Sequence, residues 1–197
     1  MNYEKKEIFT IPNILSLIRI LLIPVYAVLY MKAQALKDYI IAAAVFAASA
    51  ITDLADGIIA RKFNMRSRIG IMLDPFADKL TQGVIILCLA IKNIEILPLL
   101  IIFIIKETFM LVMGCRLLSQ GKMLDGALIT GKICTAVLFV GMVALVVFSG
   151  TIPKTGVYTI VSVCTVFMLI SLISYAKCFF TASEHIRSIS ENGEDAA

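Results

Sequence analysis

Four aspartates are the residues best suited to chemistry in this chain. Asp53 and Asp56 stand three residues apart and Asp74 and Asp78 four apart, within a 26-residue stretch of a 197-residue sequence. On a helix either spacing puts both carboxylates on one face. Gly57 and Ala60 lie close to the first pair, and Gly70 precedes the second by one turn. Small residues at such places let a backbone or a ligand approach closely. The nine residues 61–69 form a tight connection that includes Asn64 and Ser67. Two helices joined this closely are expected to be antiparallel neighbours, with both carboxylate pairs facing one spot. Carboxylates gathered in an apolar setting repel one another and would take up protons unless something offsets their charge. Divalent cations do so, and all-oxygen ligation suits Mg²⁺, Mn²⁺ or Ca²⁺ better than zinc. Four shared carboxylates fit a pair of ions polarising both sides of a phosphoryl transfer. Arg61 either pairs with these acids or holds an incoming phosphate.

The elements that carry these residues are apolar. Hydrophobic residues make up 60% of the chain and charged residues only 16%. Six long apolar runs span 13–31, 36–60, 70–91, 96–118, 127–149 and 155–179. Each is near or above the ~20 residues that cross a bilayer core as helix. The expected fold is therefore all-α: one polytopic membrane domain over 1–197 with six transmembrane helices, a polar N-terminal segment 1–12 and a polar tail 181–197. A helix is the spanning element because it satisfies its own backbone groups where no water is available. Pro75 fits the first turn of the helix that carries Asp74 and Asp78. Eleven Lys and Arg residues lie at the N-terminus and in or beside the connections after spans two, four and six, against four in or beside those on the opposite side. The excess puts both termini, and the aspartates, at the cytoplasmic face.

Several functions have little support. The first apolar run is long and lacks a small-x-small cleavage site, so it reads as a retained span, not a signal peptide. The net charge of +4 is ordinary for basic loops beside anionic lipid, and no nucleic-acid signature is present. Cys88, Cys115, Cys134, Cys164 and Cys178 are scattered through apolar segments with no C-x-x-C spacing. They read as small hydrophobes, neither a disulfide framework nor a zinc site. His185 is the sole histidine, which argues against a His-ligated metal or a His-dependent triad.

The order D-x-x-D-G-x-x-A-R, eight residues, then G-x-x-x-D-x-x-x-D resembles the signature of the CDP-alcohol phosphatidyltransferases. Asp53, Asp56, Gly57, Ala60, Arg61, Gly70, Asp74 and Asp78 supply it without departure in identity or spacing. The resemblance implies a Mg²⁺- or Mn²⁺-dependent enzyme, with two ions, a multi-pass place in the plasma membrane and a homodimer. In such enzymes an alcohol attacks the lipid-side phosphorus of a CDP-linked lipid, and CMP leaves. Carried over to this chain, Asp53, Asp56 and Asp74 are metal ligands. Asp78 is the general base towards the acceptor hydroxyl and a ligand as well. Gly57, Ala60, Arg61, Ser67 and Gly70 would surround the CDP-lipid.

Thr10–Pro24 and Asp74–Leu80 further resemble the P-N-x-L-[ST]-x-x-R-x-x-x-x-P and D-P-x-A-D-K-L runs of phosphatidylglycerophosphate synthases and related bacterial cardiolipin synthases. That likeness implies CDP-diacylglycerol as donor and glycerol 3-phosphate as acceptor, with phosphatidylglycerol or an inositol phosphate as the alternatives. Lys106, Arg116 and Lys132 are the expected holders of the acceptor's phosphate. Lys106-Glu107 stands where those synthases carry Arg-Glu, and Cys134 replaces one of two lysines in their G-K-x-K-T run. Arg19 reads equally well as a snorkelling cation. Outside this chemistry, a divalent-cation transporter is the competing class, but its acids would extend through the spans instead of clustering at one face. A membrane prenyltransferase would carry two separated Asp-rich motifs and more helices.

Overall fold

The computed structural model describes residues 11–62, 68–119 and 129–194, with side chains described over 13–52, 76–117 and 129–181. Among the described residues six α-helices follow one another: α1 Ile11–Lys32, α2 Leu36–Lys62, α3 Arg68–Lys92, α4 Leu97–Ser119, α5 Ile129–Val147 and α6 Lys154–Glu194. A short 3-10 turn, Ile94–Ile96, joins α3 to α4, and no strand occurs among the described residues. The first five helices coincide with the first five apolar runs to within two residues at either end. The last differs, because its helix runs on to Glu194. The segment expected as a polar tail thus continues the helical backbone, since no proline interrupts it and residues such as Ala182, Glu184 and Arg187 favour helix.

Among the described residues, four segments are long and apolar enough to cross a membrane: Asn13–Lys32, Ile94–Leu117, Ile129–Val147 and Lys154–Thr181. Their surface supports the same reading. Leu21, Ile91, Leu111 and Val140 are each more than 60% exposed, whereas Asn13, Ser16, Arg19, Ser49, Gln82, Lys106 and Ser171 are buried. Apolar residues outside and polar residues inside is the arrangement expected where lipid is the solvent.

Packing places α1 against both α2 and α3, and α6 against both α4 and α5; α5 reaches across to α2 and α3, and α3 to α4. The sequence suggests that α2 and α3 face one another directly. Among the described residues they touch little and are held together through α1. One core joins all six helices, with Tyr26, Phe46, Ile86, Phe103, Leu138 and Met168 among its members. Inside it, Phe46 of α2 meets Phe139 of α5 at 5.0 Å between ring centroids.

Local chemistry fixes one end of the bundle. In the first turn of α2, the Asp38 carboxylate accepts the amides of Gln34 and Ala35 at 3.2 and 3.0 Å, which closes the short turn after α1 by reaching back across the helix start. Lys92, at the end of α3, donates to the Ala33 carbonyl at 2.8 Å and sits 4.9 and 4.8 Å from the ring centres of Tyr30 and Tyr39. Glu95 pairs with Lys154 at 3.0 Å and so ties the 3-10 turn to the start of α6. These ties secure one end of α1, α2, α3 and α6, and the candidate site lies towards the other.

Candidate active site

A cavity of about 780 Å³ opens among the helices, and every helix contributes to its wall. Arg19 comes from α1, Ser49 and Ala50 from α2, Asp78, Lys79 and Gln82 from α3, Lys106 from α4, Gly131 and Lys132 from α5, and Tyr175 from α6. The polar members reach it by helical periodicity. Asp78 and Gln82 are one turn apart on α3, so the Gln82 amide donates from Nε2 to Asp78 Oδ1 at 2.9 Å. Gln82 is itself 5% exposed, so a buried amide holds the partly exposed carboxylate in one orientation.

The other Asp78 oxygen, Oδ2, faces the Lys79 ammonium at 3.8 Å. Lys79 also reaches Glu107 Oε1 on α4, at 3.5 Å. Lys106, next in sequence to that glutamate, donates to the same oxygen at 2.6 Å. The result is a continuous polar run from Gln82 through Asp78, Lys79 and Glu107 to Lys106 along one wall. Lys106 lies deep, 5% exposed, and Glu107 supplies the partner that offsets its charge.

Gly131 shows why one wall position carries no side chain. A Cβ there would sit 2.5 Å from Tyr175 Oη and 2.9 Å from its Cε2. Tyr175 therefore rests directly on the α5 backbone, in a second apolar cluster with Leu117 and Phe179. Replacing Gly131 by Ala is expected to push the tyrosine ring towards the cavity and lower catalytic efficiency roughly 10-fold, given the sensitivity of bound reactants to small misplacements. Tyr175→Phe in the same chain removes the hydroxyl half of the clash. Steady-state kinetics on the two single variants and the double variant check this: the double variant should recover activity relative to Gly131→Ala alone.

Of the residues expected at a site, Asp78, Lys106 and Lys132 share this cavity. Arg116 does not join them; it lies on the exposed side of α4, ten residues beyond Lys106 and so about 15 Å along the axis. Asp53, Asp56, Gly57, Ala60 and Arg61 fall within α2, and Gly70 and Asp74 within α3. Their side chains, and Ser67 altogether, lie outside the described residues. Among the described residues no three acidic, cysteine or histidine side chains gather to hold a metal. Asp78 alone of the four aspartates is described there, as a cavity-facing carboxylate that fits one place in an all-oxygen donor set.

The family model of CDP-alcohol phosphatidyltransferases matches residues 9–181. The chain belongs to that family. A cardiolipin synthase (CMP-forming)/mitochondrial hydrolase fusion protein of Schizosaccharomyces pombe is 45% identical over 96 residues, 48% of this chain and 15% of that protein. Cardiolipin synthase (CMP-forming) of Homo sapiens is 38% identical over 104 residues, 52% of this chain and 33% of that protein. CDP-diacylglycerol–glycerol-3-phosphate 3-phosphatidyltransferase of Rickettsia typhi is 40% identical over 93 residues, 47% of this chain and 52% of that protein. The matched part thus spans about half or less of the length of these curated relatives.

Within the phosphatidyltransferase framework, Gln82 and Tyr175 are wall residues that the motifs do not specify, whereas Lys79 stands in the D-P-x-A-D-K-L run and Glu107 in the Lys-Glu pair. Gln82 had a signal in the sequence, its spacing of four from Asp78. Lys79 reads from sequence as a helix-end partner of its neighbour, and its tie to Glu107 depends on how α3 packs against α4.

Proposed function

We propose that this chain transfers a phosphatidyl group from CDP-diacylglycerol to a hydroxyl of glycerol 3-phosphate, releasing CMP and forming phosphatidylglycerophosphate. The observation that carries the proposal is the shared cavity, which sets a carboxylate, Asp78, among the cations Arg19, Lys79, Lys106 and Lys132. A carboxylate can take the proton from an attacking hydroxyl, and nearby cations can hold an acceptor's phosphate while that happens. In this reading Gln82 fixes Asp78 in the orientation from which it receives the proton. Lys106 and Lys132 hold the acceptor phosphate. Gly57, Ala60, Arg61, Ser67 and Gly70 line the CDP-lipid.

Asp53, Asp56 and Asp74 would hold Mg²⁺ or Mn²⁺ together with Asp78, as a two-ion site. When bound, the ions supply positive charge against the donor's diphosphate. We further propose that all six helices span the plasma membrane as one domain, with both termini and the site at the cytoplasmic face, and that the enzyme works as a homodimer. The basic excess on that side supports the orientation, and the lengths of α2 and α3, 27 and 25 residues, are sufficient to cross.

Phosphatidylglycerol, giving cardiolipin, is the second reading. It is favoured by the names of the fission-yeast and human relatives and by Cys134, which leaves the site one cation short of the synthase pattern. An acceptor panel decides between them. Purified protein with Mg²⁺ and CDP-diacylglycerol receives glycerol 3-phosphate, phosphatidylglycerol, inositol phosphate or serine, and lipid products are separated by chromatography. Phosphatidylglycerophosphate should dominate; cardiolipin from phosphatidylglycerol alone would replace the first reading with the second.

A further inference from the structure

The Lys79 side chain has no separate role in the scheme above, yet its position is specific. It lines the cavity beside Asp78 and shares one oxygen of Glu107 with Lys106, at 3.5 and 2.6 Å. A single carboxylate oxygen between two ammonium groups relieves their mutual repulsion and brings them close enough to touch one anion. Asp78 and Glu107 together balance these two lysines, so the positive charge of the cavity comes from Arg19 and Lys132, which line it as well. Lys106 is deep and Lys79 is one-third exposed, so the pair runs from the wall's interior to its open side. Two ammonium groups held this close, in a cavity also lined by Lys132 and Arg19, suit an entering phosphate.

We propose that Lys79 is a binding and specificity residue for the acceptor's phosphate, forming with Lys106 a two-point clamp that Glu107 holds in place. This inference rests on the proposed transferase reading and adds to it a geometric rule. Because Lys79 stands 3.8 Å from Asp78, the group that binds phosphate and the group that receives the hydroxyl's proton are neighbours. The site therefore selects alcohols whose phosphate lies only a few bonds from the reacting hydroxyl. Glycerol 3-phosphate and the head group of phosphatidylglycerol both meet that rule. Free glycerol has the hydroxyl without the phosphate.

The test compares Lys79→Met, Lys79→Arg and Glu107→Gln with the parent enzyme, using glycerol 3-phosphate, phosphatidylglycerol and glycerol as acceptors. Lys79→Met keeps the side-chain length and removes the charge. Its KM for the acceptor used by the parent should rise roughly 10- to 100-fold, the loss expected for one charge-assisted contact. Its kcat and its KM for CDP-diacylglycerol should stay within about threefold, well under that loss. Glycerol turnover should fall far less than turnover of the phosphorylated acceptor, so the advantage of the phosphorylated acceptor over glycerol shrinks. Lys79→Arg should restore the acceptor KM, and Glu107→Gln should raise it, because both ammonium groups lose their tether. Equal losses with the phosphorylated acceptor and glycerol would mark Lys79 as merely structural and overturn the proposal. A rise in the donor KM instead would assign it to the CDP-lipid and also overturn it. A Lys79→Met protein that fails to fold overturns nothing on its own, and then Lys79→Arg and Glu107→Gln decide: normal acceptor KM in Glu107→Gln refutes the clamp. A parent enzyme inactive with every acceptor would refute the transferase reading itself.

Discussion

Asp78→Asn is expected to lower transfer by about 10³-fold or more, within the range general-base catalysis supplies, while leaving the protein folded. The substitution is nearly isosteric and keeps one oxygen for the Gln82 amide, whose Nε2 lies 2.9 Å from Oδ1. It removes the charge that faces Lys79 at 3.8 Å and the capacity to receive a hydroxyl's proton. Because that ion pair is one-third exposed on both partners, its loss should alter stability little. The check has two parts: CMP release from CDP-diacylglycerol, and the thermal midpoint of the variant in the same detergent. Normal turnover in Asp78→Asn would remove the residue from the base role. A collapse of the thermal midpoint would make it structural.

Chelation is expected to have an effect as large. Excess EDTA should abolish transfer, and added Mg²⁺ or Mn²⁺ should restore it. The four aspartates share one 26-residue stretch, and the described one, Asp78, already faces a cavity shared by all the helices. Carboxylates gathered this closely repel one another, and divalent cations offset that repulsion. Oxygen-only donors make the hard divalent ions the ones to rescue. Transfer that persists in excess chelator would contradict the metal assignment.

Much of the fold is legible in the sequence because lipid imposes a single strong constraint. A spanning segment must be apolar and about 20 residues long, so the ends of α1 to α5 follow from where apolar residues stop. The end of α6 is not legible in that way. Beyond the apolar run its continuation depends on helix propensity alone, a weaker signal. The candidate site divides likewise. Asp53, Asp56, Asp74 and Asp78 announce themselves through spacing within adjoining helices, and Gln82 does so through its turn from Asp78.

Contacts between residues distant in sequence leave no such trace. Tyr175 over Gly131 and Lys79 against Glu107 depend on how α6 meets α5 and how α4 meets α3. Lys106, Arg116 and Lys132 illustrate the same limit. All three are basic residues on α4 or α5, but packing turns Lys106 and Lys132 to the cavity and leaves Arg116 on the outer surface.

The most direct measurement of the central claim is the stoichiometry of CMP and lipid product. Purified protein in vesicles containing CDP-diacylglycerol, with Mg²⁺ and glycerol 3-phosphate supplied outside, should yield equal amounts of CMP and phosphatidylglycerophosphate. Both should vanish with EDTA and in Asp78→Asn. Mg²⁺ flux across those vesicles with no CMP released, whichever acceptor is present, would contradict the account and return the aspartates to an ion path.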